Sequence, residues 1–189
     1  FRSSTWQKAR RSKSCLTWMA AGKERACALV GKWLVEHGFK VGIIAQPEVD
    51  IPDDITRLGE PNLFFAVSGG CVDSMVANYT ATKKRRQQDD FTPGGENNKR
   101  PDRAVLVYSN MIRRFFKGTT KKIVISGIES SLRRITHYDY WTNKLRKPIL
   151  FDAKADILSY GMGEMSMLQL ANALKNGEDW QNIRGLCYL

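Results

Sequence analysis

The sequence predicts an α/β domain, doubly wound around a mostly parallel sheet in a Rossmann- or flavodoxin-like layout. Three observations carry that prediction. Apolar runs of strand length, at residues 40–45, 63–67, 122–126 and 155–160, alternate with stretches of helical period. The runs are continuous rather than alternating, so both faces of each strand must be covered, as in parallel sheets. Three of them empty into small residues, Ser68-Gly69-Gly70, Ser126-Gly127 and Gly161-Met162-Gly163. Parallel strands would bring these exits to one sheet edge, where open α/β sheets hold ligands.

The elements follow in order. Residues 1–22 read as a polar, basic segment without a clear period, and 23–189 as a single α/β domain. A helix is predicted from Gly22-Lys23 to His37, with Ala26, Leu29, Val30, Trp33 and Leu34 as its apolar stripe and Gly38 as its stop. The strand at 40–45 ends at Gln46-Pro47. Pro52-Asp53-Asp54 starts a short helical turn. After the second strand, residues 71–84 read as a turn continuing into helix. Residues 86–101 are the longest irregular stretch, a length that in compact domains marks either function or disorder. Asp102 caps a helix to about Phe116, with Val105, Leu106, Tyr108 and Ile112 on its apolar side. A last helix, 164–175, turns Met167, Leu168, Ala171 and Leu174 inward and stops at Gly177. The tail 183–189 reads as another strand or an exit into a further domain.

Composition narrows the function classes. The chain has 189 residues, 42% hydrophobic and 26% charged, a soluble globular balance. No apolar run approaches the ~20 residues that span a bilayer, and no signal-peptide pattern opens the chain, so a cytoplasmic protein is expected. It begins with Phe1, which suits a fragment. Cys15, Cys27, Cys71 and Cys187 are too scattered for a zinc, haem or iron–sulfur motif, so no metal is expected in this chain. The net charge of +11 favours anionic partners. Part of the excess sits in two runs, residues 8–13 and 83–86, which read equally as solvated faces.

The densest chemistry lies between Ser126 and Trp141. Glu129, Arg133, Arg134, His137, Asp139 and Trp141 follow directly on an apolar strand. Such a cluster reads either as a ligand site at the strand edge or as a structural ion-pair network around a buried Trp141. Of the two histidines, His37 sits at a helix end, leaving His137 as the catalytic candidate, and no nucleophile or base stands at a recognisable spacing from it. Asp73 and Ser74 follow the second glycine exit, as ligand groups or as helix caps. Gly161, Gly163 and Glu164 mark the third exit. None of the exits is a GxGxxG or GxxxxGK[ST] fingerprint.

Several phrases, in collinear order over residues 28–189, resemble the YgiQ family of radical SAM proteins. They are Val41-Gly42-Ile43-Ile44-Ala45-Gln46-Pro47, Asp73-Ser74-Met75-Val76, Tyr79-Thr80, Phe91-Thr92-Pro93-Gly94-Gly95, Lys99-Arg100-Pro101-Asp102-Arg103-Ala104, Gly127-Ile128-Glu129, Ser131-Leu132-Arg133-Arg134, His137-Tyr138-Asp139-Tyr140-Trp141 and Tyr160-Gly161-Met162-Gly163-Glu164. The resemblance implies an N-terminal domain that precedes a radical SAM barrel, which would be its partner. It also implies a 4Fe-4S cluster and S-adenosylmethionine in the full-length protein, held by a C-x-x-x-C-x-x-C motif this chain lacks. The chain alone is therefore not expected to be active. Residues 122–189 more faintly resemble cobalamin-binding-type domains, but the D-x-H-x-x-G loop of true cobalamin binders is not visible, which argues against cobalamin. The front departs from the family pattern: residues 13–22 lack its acidic and His-Pro residues, so the first strand is expected to be missing or degraded. The implied function is an accessory domain that helps bind substrate or closes the barrel mouth. The candidates for that contact are Asp73, Ser74, Tyr79, Glu129, Arg133, Arg134, His137, Asp139, Gly161, Gly163 and Glu164. The alternatives are a basic anion- or RNA-binding module and an inactive fragment.

Overall fold

The computed structural model describes residues 16–21 and 25–189. Its elements are β1 (Leu16–Ala20), α1 (Arg25–Glu36), β2 (Val41–Ala45), α2 (Pro52–Thr56), β3 (Phe64–Ser68), α3 (Ser74–Asn78), α4 (Ala104–Phe115), β4 (Lys122–Ser126), α5 (Gly127–Leu132), β5 (His137–Asp139), β6 (Lys144–Arg146), α6 (Ile149–Ala153), β7 (Ile157–Ser159), α7 (Glu164–Asn176) and β8 (Leu186–Tyr188). A six-stranded sheet runs β2-β1-β3-β4-β7-β8, parallel except for β8. The chain steps from β1 outward to β2, then back across to β3. The switch point of this flavodoxin-like order therefore lies between β1 and β3. A separate hairpin, β5–β6, pairs antiparallel.

The expectation of a missing first strand is wrong. Leu16-Thr17-Trp18-Met19-Ala20 forms β1, fully buried, paired over its whole length with β2 on one side and β3 on the other. The basic residues that precede this run masked its β-forming composition, and the boundary expected after residue 22 cuts through the sheet. Residues 1–15 and 22 of that segment lie outside the described residues.

Period-two alternation splits each strand between two cores. Met19, Phe65, Val67, Ile123, Ile125 and Leu158 pack with Val105, Tyr108, Ile112, Ile149 and Leu150 on the face of α4 and α6. Leu16, Trp18, Phe64, Ala66, Val124 and Ile157 pack with Cys27, Leu34, Met167, Leu170 and Ala171 on the face of α1 and α7. Both faces are thus covered, as the continuous apolar strands require. Two helix readings need correction. Leu29, placed on the buried stripe of α1, faces solvent. The helix expected over 71–84 is only Ser74–Asn78, because Tyr79 turns extended and the chain then folds into a long strap, residues 79–103.

If β1 is central, shortening one of its core side chains must leave a cavity. Met19→Ala is expected to cost about 2–5 kcal/mol, read by urea unfolding. A loss below about 1 kcal/mol, the size of an ordinary surface change, would contradict the placement of β1.

Candidate functional site

The exits of β3, β4 and β7 do share the carboxyl edge of the sheet, and they lock onto one another. The Gly70 N–H donates to Ser68 Oγ at 3.0 Å, and the Ile128 N–H donates to the Gly70 carbonyl at 3.1 Å. Gly127 holds φ +85°, and a Cβ there would lie 2.7 Å from Ser68 Oγ and 2.9 Å from the Gly70 oxygen. A Cβ on Gly69 would lie 2.8 Å from Glu129 Oε2. The glycines of the first two exits thus serve close approach between the chain's own segments.

Glu129 is the centre of this interlock. It is 1% exposed. Its Oε2 accepts the Ser74 N–H at 3.2 Å and its Oε1 the Val105 N–H at 3.3 Å. Both donors belong to first helical turns, of α3 and α4, which have no intrahelical partner for them. Ser74 Oγ accepts the Ala104 N–H at 3.1 Å. Asp73 caps α3 by accepting the Met75 N–H at 2.9 Å, and its other oxygen accepts from Arg133. Arg133 also donates to the Glu129 carbonyl at 3.3 Å. Burial pushes the Glu129 carboxyl above the usual range and the Asp73 charge adds to this, against the opposing influence of Ser74 and Arg133. Burial alone would lower the Arg133 pKa, but its bond to Asp73 and the surrounding carboxylates outweigh that and keep it charged. Asp73, Ser74, Glu129 and Arg133 are therefore brought together, with their polar atoms committed to one another.

Asp139 gathers a second cluster. It accepts from Arg103 at 2.7 Å, Arg146 Nε at 3.0 Å, Thr142 Oγ1 and the Trp141 N–H at 3.3 Å. Burial opposes its ionisation. The bonds from Thr142 and Arg103, the Arg103 charge and the Trp141 N–H outweigh it and hold the carboxyl well below the usual range. Arg103 precedes α4 in a left-handed conformation, φ +54°, so this pair ties the β5–β6 hairpin to α4. Tyr79 donates to Asp102 Oδ2 at 2.7 Å, and that bond comes first among the causes raising its pKa. Its ring lies 5.4 Å from that of Trp141, which is half-buried.

The remaining candidates sit apart from these two clusters. His137 Nδ1 lies 3.2 Å from the Ile135 carbonyl, and its Nε2 has no hydrogen-bond partner among the described residues. Arg134 is exposed, donating to the Ser131 carbonyl at 2.7 Å with its guanidinium 5.2 Å from the centre of the Tyr160 ring. The Gly161 N–H donates to Ser131 Oγ at 3.4 Å. Gly163, φ +54°, precedes α7, whose first residue is the half-buried Glu164.

Sequence reasoning missed the buried network of the strap. The Arg100 side chain is wholly buried. Its Nε donates to the Ala21 carbonyl at 3.1 Å and its Nη2 to Asp89 Oδ1 at 3.2 Å, and it lies over the Phe91 ring. Thr92 bridges Asp89 and Gln46, whose Nε2 donates to Thr92 Oγ1 at 2.6 Å. The only sequence signal was the length of the irregular stretch. Together these groups cover the carboxyl ends of β1 and β2. The described residues offer no iron–sulfur ligand set. Cys27, Cys71 and Cys187 lie on α1, beyond β3 and on β8, and no three His, Cys, Asp or Glu side chains group as metal ligands among the described residues. No helix among them is long and apolar enough to cross a membrane.

The basic run is largely engaged with the protein itself. Lys83 donates to the Tyr140 carbonyl at 3.2 Å and lies over its ring. Arg85 donates to the Asn97 carbonyl at 3.3 Å, and Arg86 to that of Tyr79 at 3.2 Å.

A depressed folded pKa contributes stability above the unfolded value and loses it as pH falls through the folded value. The stability gap between the parent and Asp139→Asn should therefore be constant near neutrality and shrink as pH drops below about 5. Urea unfolding from neutral pH into acid reads it, and a gap that stays flat or widens would contradict the assigned role of Asp139.

Comparison with known proteins agrees with this architecture. The family model described as Radical SAM N-terminal matches residues 22–189. A UPF0313 protein of Fusobacterium nucleatum subsp. nucleatum is 98% identical over 161 residues, covering 85% of this chain and 28% of that protein. UPF0313 proteins of Thermotoga neapolitana (56% identical; 85% of this chain, 29% of theirs) and Methanocaldococcus jannaschii (55%; 82% and 25%) are also similar. The chain thus spans less than a third of the length of these relatives. Among solved structures it is similar to TsrM, a radical S-adenosylmethionine methyltransferase from Kitasatospora setae, solved with tryptophan substrate and a SAM analog. The TM-score is 0.59 at 18% identity, covering 93% of this chain and 28% of TsrM. A second TsrM structure, with cobalamin and a [4Fe-4S] cluster bound, gives the same TM-score. At that identity the likeness speaks for the fold alone. With the match covering most of its length and the UPF0313 relatives alongside, the chain belongs to the Radical SAM N-terminal family.

Proposed function

We propose that this domain is the accessory domain of a longer radical SAM enzyme and helps bind its substrate at the carboxyl edge of the sheet. The cluster and S-adenosylmethionine would belong to the rest of the full-length protein, since no three His, Cys, Asp or Glu side chains among the described residues group as cluster ligands. The observation that carries the reading is the division of labour among the edge residues. Asp73, Ser74, Glu129 and Arg133 are consumed in holding the edge together, which leaves exposed Arg134, beside Tyr160 and the Gly161 turn, to meet a ligand. Among the described residues Arg134 makes one hydrogen bond, to the Ser131 carbonyl, and a guanidinium stacked on a ring suits an anionic, planar group. The reading therefore favours a substrate bearing a carboxylate or phosphate. The alternative of an RNA- or anion-binding module is less well supported, because most of its basic run is tied to the protein's own carbonyls.

In the full-length protein, Arg134→Ala should melt as the parent does, within about 0.5 kcal/mol, as exposed sites generally behave. It should lose the stimulation of S-adenosylmethionine cleavage by a small-molecule extract of source cells, read as 5′-deoxyadenosine formed. Stimulation equal to that of the parent would contradict the reading.

A further inference from the structure

We infer that a patch on the carboxyl edge, made by Ile128, Leu132, Ile135, Tyr160, Met162 and Met165, is the docking surface for the remainder of the full-length polypeptide. The inference rests on the reading above only in taking this domain as part of a longer radical SAM protein. Met162 is 84% exposed, Ile135 62%, Leu132 60% and Met165 59%. Single exposed apolar residues are ordinary, but a group of them on one surface marks an interface. Ile128 and Leu132 stand four positions apart on α5 and so lie on one side of it, and Ile135 follows in the bend after the helix. The turn carrying Tyr160 and Met162 is joined to α5 by the Gly161–Ser131 bond and by Arg134 over the Tyr160 ring. Met165 follows one turn later, on α7. The patch is therefore continuous, with Arg134 and Glu164 among its polar neighbours. Methionine suits such a surface because its flexible, polarisable side chain adapts to a partner.

The occupant follows from length. The relatives are three to four times longer than this chain, which spans 28%, 29% and 25% of them. A large body of polypeptide therefore needs a surface on the domain. The opposite edge carries a groove of mixed character, lined by Arg113, Lys122 and Asp156 together with Leu150, Phe151 and Trp180, with Asp156 paired to Arg113 at 2.9 Å. The exposed methionines Met162 and Met165 are on the carboxyl edge. The patch also adjoins the start of β8, since the Tyr160 N–H donates to the Gly185 carbonyl at 3.0 Å.

Methionine oxidation tests this in the full-length protein. Dilute hydrogen peroxide converts accessible methionine to sulfoxide, and peptide mass spectrometry gives a rate for each site. Met111 and Met167, 4% and 1% exposed, are internal standards for burial. Docking predicts that Met162 and Met165 oxidise at least ~10-fold more slowly than in the denatured chain, close to those standards. Met162 oxidising at the denatured rate would overturn the proposal. A Leu132→Asp variant should then expose Met165 while Met111 and Met167 stay protected, which separates undocking from unfolding. Continued protection of Met165 in a folded variant would also overturn it. So would protection that disappears on dilution as a dimer dissociates, because a second copy would then be the occupant. The readout is independent of turnover, so its failure is distinguishable from failure of the role given to Arg134.

Discussion

Burying a carboxylate costs several kcal/mol unless hydrogen-bond donors and opposite charge surround it, and the carboxyl edge of this domain is arranged to provide both around Glu129. Its two oxygens take the Ser74 and Val105 amides, one from the start of α3 and one from the start of α4. The starts of two helices thus meet at one carboxyl group, which satisfies an amide of each. Arg133, four residues along from Glu129, bonds the Glu129 carbonyl and Asp73. Gly69 and Gly127 have no side chain because Glu129 and Ser68 occupy the space one would need. Take Glu129 away and the segments after β3, after β4 and before α4 lose their common partner.

That constraint changes what the conspicuous residues mean. A charged cluster after a strand suggested either a ligand site or a structural network, and the bonds made by Glu129, Arg133, Asp73 and Asp139 favour the network for those four. Glu129, Arg133, Asp73 and Asp139 are structural, with every conspicuous polar atom facing another from the same chain. Arg134 is adjacent in sequence but faces the other way, as neighbouring positions beside a helix do. The switch-point crevice, where such sheets bind ligands, holds the Arg100 guanidinium on the Ala21 carbonyl.

The parallel core was legible because its strands are continuous apolar runs and its helices keep their period. Glycines at the exits told where the chain turns and that the turns share an edge. The first strand was not legible, since five residues embedded behind a basic segment carry little pattern and gain their stability from β2 and β3 on either side. Leu29 had the right spacing but sat beyond the width of the buried stripe. The strap was the largest omission. Its order comes from Arg100, Asp89, Thr92 and Gln46, which lie 3 to 79 positions from their partners and leave no local period to read. Of the residues at the carboxyl edge, sequence singled out Glu129, Arg133 and Arg134 together, and the fold alone turned Arg133 inward and Arg134 outward.

The most direct test of the organising role of Glu129 is native-state hydrogen exchange on Glu129→Gln. A glutamine oxygen can accept one of the two helix-start amides, and its nitrogen cannot accept the other. The account predicts that either the Ser74 or the Val105 amide exchanges about tenfold faster or more, while Val124 in the centre of the sheet keeps its protection. Unchanged protection at both Ser74 and Val105 would show that the two helix starts do not depend on this carboxylate, and would contradict the account.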